Sequence, residues 1–276
     1  MADRAWGGGA TATAGVYRRL VVAQVRAQSQ YRASFLIDLF GSAVLSALDL
    51  ITVLVMFRVT PQLGGFDLRA AFLMSALAGC GFACADLLVG NVDRMRQRVR
   101  AGTLDALLVR PLGVLPQVFA GEFGLRRTGR AAVGIAALAV AASYAGLSVT
   151  PARLVLLVLA PACGTLFFTG FFVAGSTLAF WWIESGEVAN AFTYGGRDFT
   201  TYPVTVYGGV FRHVFAYGLG FAFVAYYPAL VLLGRPDPLG LPGWAGWCSP
   251  AVAVAAFGGG LAMWRVGIRR YRSTGS

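Results

Sequence analysis

NVDRMRQRVRAGTLDALLVRPLGVLP, residues 91–116, sits between two apolar segments and carries Arg94, Arg96, Arg98, Arg100 and Arg110 within seventeen positions. Gly102 breaks the run, and Thr103 stands where it can cap a short helix. On that helix Leu104, Leu107 and Leu108 fall on one face by the i, i+3, i+4 rule. Pro111 ends it, because proline lacks an amide donor and restricts the residue before it. The spacing predicts a short amphipathic helix hanging off a membrane on its positive side, a handle for a partner. The plainer reading is that the arginines anchor topology and touch lipid headgroups.

The composition around this stretch points to a membrane. Hydrophobic residues make up 57% of the 276 and charged residues 13%, against about 25% charged in soluble domains. With a mean hydropathy of +0.67, a multi-span protein is expected. The start, MADRAWGGGATATAG, lacks the apolar core of a secretory signal, so the first apolar segment, near Phe35, is expected to remain as a span. All 23 basic residues are arginine. Without lysine there is no P-loop GxxxxGK[ST], and so no Walker-type ATPase on this chain, nor a Schiff-base lysine. A single histidine, His213, leaves no histidine-rich metal site, and reads as an interfacial polar residue. Cys80 and Cys84 lie one helical turn apart in an apolar run with no histidine or third thiol beside them. With Cys163 and Cys248 they read as small core residues, not metal ligands.

Taken in order, residues 1–34 form an N-terminal region whose segment 16–34, VYRRLVVAQVRAQSQYRAS, suits a helix lying along the membrane surface. A single transmembrane domain then occupies 35–264, and 265–276 is a basic tail. The first span, 35–57, has 23 residues, and at ~1.5 Å each it covers a hydrocarbon core of about 30 Å. Asp38 and Asp49 are eleven residues apart, close to three turns, so they share a face with Ser42 between them. Carboxylates facing lipid are costly, so this stripe predicts a pathway wall or a subunit seam. The competing reading places Asp38 at the interface and buries Asp49 against a neighbouring helix. The second span, 68–90, is rich in small residues that permit close packing, with Asp86 near its far end, level with Asp38 in an antiparallel pair.

Further spans are expected at 131–149, 154–183, 214–233 and 248–264, with 91–130 as a basic loop. The segment 154–183 is too long for one perpendicular crossing, so it must tilt, kink near Pro161 or Gly164, or project. Glu184, Glu187, Arg197 and Asp198 interrupt the hydropathy of 184–213, which reads most simply as a loop. On that assignment nineteen arginines lie on the side of the termini and four on the other. The bias predicts cytoplasmic termini, a cytoplasmic 91–130 loop and residence in the cell membrane. It also accounts for the net charge of +11 without nucleic acid.

VRAGTLDALLVRPLGVLPQVF (99–119), the Tyr202-Pro203 pair, YYPALVLLGRP (226–236) and the ending RRYRSTGS resemble ABC-2 type transporter permeases, in the branch of about this length commonly encoded as a pair beside one ATPase. The resemblance implies an all-α exporter half of six transmembrane helices. Its partners would be a separate ABC ATPase subunit, which holds the ATP and Mg, a second permease, identical or homologous, and lipid. No cofactor is implied on this chain. Carried over by position, Thr103, Leu104, Asp105, Leu107, Leu108 and Arg110, flanked by Arg96 and Arg100, become the coupling helix that docks on the ATPase. Residues 16–34 become the surface helix. The family also suggests 184–206 as a weak fifth span and 207–233 as a re-entrant hairpin, which would put Arg197 and Asp198 at membrane depth. An ion- or proton-coupled carrier using Asp38, Asp49 and Asp86 is the alternative, weakened by the lack of a visible inverted repeat. A membrane enzyme has too few candidate catalysts.

Overall fold

Leu68–Val89 is the helix on which the others assemble, and most of its residues are buried. It is α2 in a computed structural model that describes residues 32–110, 113–121, 127–148, 150–182 and 184–271. The surface helix expected over 16–34 therefore lies outside the described residues, except for its last three positions. Those open α1, Arg32–Val59, which packs on α2 and on α6, Arg127–Tyr144. Thr150 caps α7, Pro151–Thr177, by accepting from the Arg153 amide, and Pro151 fits the first turn, where no amide donor is needed. The last long helix, α11, is Ser249–Arg270, which runs six residues past the expected end at 264. Between α2 and α6 come three short helices, α3 Met95–Arg100, α4 Thr103–Leu108 and α5 Val114–Gly121. No β-strand occurs among the described residues.

Among the described residues four helices are long and apolar enough to cross a membrane, or five if one bent pair counts as a span. The expected third span, 131–149, is α6, which is shifted toward the basic loop and opens on Arg127 and Arg130. Small residues bring these helices together. A Cβ on Gly81 would lie 3.1 Å from the Cα of Gly164, and one on Gly170 would lie 2.5 Å from the Ala256 carbonyl oxygen. The α2–α7 and α7–α11 crossings are therefore backbone against backbone, which is how helices gain contact without a hydrophobic driving force between them.

Cross-helix contacts define two ends of this bundle. At the basic end, Arg127 and Arg130 reach Asp86, and Gly267 packs on Thr177 and Phe180. At the opposite end, Arg69 sits over the Tyr144 ring and Arg235 pairs with Asp67. The segment 184–213 connects the two ends. Glu184 pairs with Arg100 at the basic end, while Thr205 donates to the Gly64 carbonyl, 2.7 Å away, at the other. Between them runs α8, Gly186–Thr201, along α2 and α7. The expected loop is thus a helix along the bundle. Hydropathy missed it because it is two-faced: Glu187, Asn190 and Asp198 are exposed, whereas Thr193, Gly196, Phe199 and Thr200 are buried.

The expected straight span over 214–233 is also replaced. α9, Gly209–Arg212, continues as a π-helical turn to Gly218. The chain then bends by 59° into Phe221–Leu233, which includes α10, Tyr226–Leu233. Gly220 forms the tip at φ +84, and a Cβ there would strike Val252. Both arms end at the same end of the bundle: Tyr207 stacks on Phe199 just before α9, and Tyr226 packs on Phe66 after the tip. Phe167, Phe171, Phe199, Phe215 and Phe221 interlock around the tip. Arg197, over the Phe82 ring, and Arg212 accordingly stand away from the end that holds Arg96, Arg100, Arg127 and Arg130.

Candidate functional site

The basic stretch folds as a hinged pair of short helices below α2. α3 continues the line of α2 through a 3-10 turn, Gly90–Arg94. The chain then turns at Gly102, whose φ of +66 is open to glycine and costly for other residues. Gly102, rather than Thr103, holds the cap position of α4; Thr103 is its first residue and its hydroxyl donates back to the Arg98 carbonyl at 3.3 Å.

The three leucines do not share one exposed face. Leu104 is 0% exposed and belongs to the chain's own core, with Leu107 partly buried against it. Leu108 is 38% exposed and the following Val109 85%. From α5, Gln117 donates to the Leu107 carbonyl at 3.0 Å. Asp105 sits beside the Tyr271 phenol just past the end of α11, and burial first, then this carboxylate, push the phenol pKa up. So α4 is rooted through Leu104, Asp105 and the Leu107 backbone, while Leu108, Val109 and Arg110 remain open.

The arginines divide in the same way. Arg110 is exposed, and Arg100 pairs with Glu184 across 84 positions of chain. Arg96 instead turns to the start of α8, so close that a Cβ on Gly186 would lie 2.6 Å from its Nη1. Asp93 accepts from the Tyr194 hydroxyl at 2.9 Å. None of these partnerships was visible in the sequence, since Asp93 and Tyr194 lie 101 positions apart and carry no motif.

Of the acidic residues expected to mark a pathway, Asp86 is the one whose side chain lies among the described residues. Asp86, 1% exposed, is held by Arg127 at 3.1 Å and Arg130 at 2.8 Å. The same Arg127 also donates to the Asp86 carbonyl at 2.9 Å. Asp86 therefore anchors α6 on α2 instead of facing an open route. Ser42 donates to the Leu39 carbonyl at 2.9 Å and stands where α1 crosses Gly129 of α6. The side chains of Asp38 and Asp49 lie outside the described residues. Cys80, Cys84, Cys163 and Cys248 are all free thiols.

Long apolar helices packed side by side, with arginine concentrated at one end, define a multi-pass membrane protein. A family model described as ABC-2 family transporter protein matches residues 43–275, and the chain belongs to that family. It is a permease component of an ABC-type transporter, a class that associates with an ABC ATPase and is generally not catalytic itself. Comparison with curated proteins and with solved structures finds no match.

Proposed function

We propose that this chain is the membrane half of an ATP-driven exporter in the cytoplasmic membrane, working with a second permease, identical or homologous, and with a separate ATPase that holds the ATP and Mg. Its transmembrane domain would cross six times, through the long apolar α1, α2, α7 and α11 and the less apolar α6 and α8, with Gly209–Leu233 dipping in as a re-entrant hairpin. Even crossings leave residues 1–34 and the tail beyond Arg270 on the arginine-rich side, which the charge bias assigns to the cytoplasm. α8 is the weak span: its exposed Glu187, Asn190 and Asp198 suit a polar route or subunit seam better than lipid.

The observation that carries the reading is the split burial of α4. A helix pinned through Leu104 while Leu108 and Val109 stand in water is a rigid peg with an unfilled tip. Covering such side chains stabilises by about 1.5–3 kcal/mol each, and desolvated anchors dominate interface energy. The ATPase would seat on Leu108, Val109 and Arg110. Arg100, through Glu184, and Asp105, beside Tyr271, would then pass its movement to the starts and ends of α8 and α11. Rocking of the two permeases about the route would follow.

The test is copurification of the ATPase with the tagged permease from native membranes. Leu108→Asp combined with Val109→Asp is expected to abolish it and to abolish transport-stimulated ATP hydrolysis, leaving the permease folded. Leu104→Ala should instead destabilise the permease itself, by roughly 2–5 kcal/mol for a buried leucine. A Leu108/Val109 double variant with a bound, fully coupled ATPase would rule α4 out as the docking element.

A further inference from the structure

A cavity of about 350 Å³ lies at the basic end, between the close of α7 and the first turns of α8. Its walls include Asp93, Arg96, Ser176, Ser185, Asn190 and Thr193. The docking of α4 uses none of this space, and the hydrogen-bonding capacity around it is unevenly spent.

One group of wall residues has donors left over. Ser185 is 2% exposed, and among the described residues its hydroxyl has no hydrogen-bond partner. Arg96, packed on Gly186, makes no hydrogen bond or ion pair within the same set. α8, with sixteen residues, starts at this point without a side-chain cap, so its first-turn amides and partial positive charge face the same region. A buried hydroxyl, a guanidinium and a helix start together favour an anion. The other group has acceptors left over. Ser176 and Thr193 spend their hydrogens on the Val173 and Ala189 carbonyls, at 2.8 and 2.7 Å, and Asp93 is a carboxylate. Asp93 also disfavours a doubly charged anion.

We infer that this cavity binds a singly charged phosphodiester bearing a hydrogen-bond-donating arm, with Arg96, Ser185 and the start of α8 taking the phosphate and Asp93 and Thr193 taking the arm. A phospholipid headgroup at the membrane face and a free glycerophosphodiester both have this chemistry. The inference does not depend on α4 or on any ATPase, and it concerns the permease alone.

Trp181 and Trp182, in the chain between the wall residues Ala179 and Ser185, give a fluorescence signal for titrating the purified, delipidated full chain. Dihexanoyl-phosphatidylethanolamine should bind more tightly than dihexanoyl-phosphatidylcholine, whose arm has no donor. Arg96→Gln should weaken ethanolamine-lipid binding about tenfold or more, the scale of a lost charged hydrogen bond, while Arg96→Lys keeps most of it. Ser185→Ala should cost roughly threefold, as one neutral hydrogen bond does. Asp93→Asn should erase the preference for ethanolamine over choline. Competition by glycerophosphoethanolamine at matching concentration assigns a soluble occupant, and competition by the lipid alone assigns the headgroup; either result supports the site. Should Arg96→Gln fail to fold, the Ser185→Ala loss and the ethanolamine preference still decide. Equal affinities for both lipids, together with unchanged binding in Ser185→Ala and in any folded Arg96→Gln, would overturn the proposal.

Discussion

α8 is fastened differently at its two ends. At the basic end the fasteners are charged: Arg100 to Glu184, Tyr194 to Asp93, and beside them Asp86 enclosed by Arg127 and Arg130. At the opposite end Phe199 stacks on Tyr207 with ring centroids 4.3 Å apart, further aromatics fill in behind, and Thr205 donates to a backbone carbonyl. The charges near that end are local clamps. Asp237 accepts from the Tyr226 hydroxyl and from two amides of its own loop, and Arg235 meets Asp67 half-exposed. Packed aromatics cannot shift without opening a void, whereas charged groups can exchange partners. On the proposed reading, the contacts able to switch therefore lie beside α4, and the fixed ones lie far from it.

That contrast can be broken first at Asp86. Asp86→Asn leaves two partly buried guanidinium groups without their counter-charge, and breaking a buried pair this way costs about 3–5 kcal/mol. Thermal unfolding in detergent, followed by the fraction remaining monodisperse, should show the largest loss of any substitution at either end. A shift no greater than that of an exposed ion pair would mean the basic end is also held by packing. Tyr226→Phe comes next. It removes one hydrogen bond to a carboxylate from a buried ring and should cost roughly 1.5–3 kcal/mol. The loop after α10 should then become more sensitive to protease. Arg235→Ala should barely register, at about 0–1 kcal/mol for an exposed pair, and raised salt should leave the variant and the parent alike. A loss at Arg235 that equals the loss at Asp86 would remove the distinction between the ends.

The segments easiest to read in the sequence are those apolar all round. α2 and α7 are helices over most of 68–90 and 154–183, because a helix surrounded by protein or lipid needs no polar face and hydropathy registers it directly. α8 is hidden by its own two-facedness, and the break in the following segment by the sharp turn at Gly220, which hydropathy averages away. Gly102 is legible in the sequence as a break, but the residue at the cap is Gly102 and not the hydroxyl-bearing Thr103. The two positions differ by the sign of φ, which a hydroxyl pattern does not report.

Composition and hydropathy alone pointed to a multi-pass membrane protein with arginine as its only basic residue type besides one histidine; both are properties of residues counted along a line. The leucine spacing likewise placed a short helix at 103–108, since helical periodicity is local. Only the tertiary structure decided that Leu104 faces inward and Leu108 outward, that Asp86 is a tether and that Arg96 turns to the start of α8. It also decided how 184–233 threads between the two ends. Burial and pairing are set by neighbours that arrive from distant parts of the chain, as when Glu184 meets Arg100 and Thr205 meets Gly64, and no reading of nearby residues contains them.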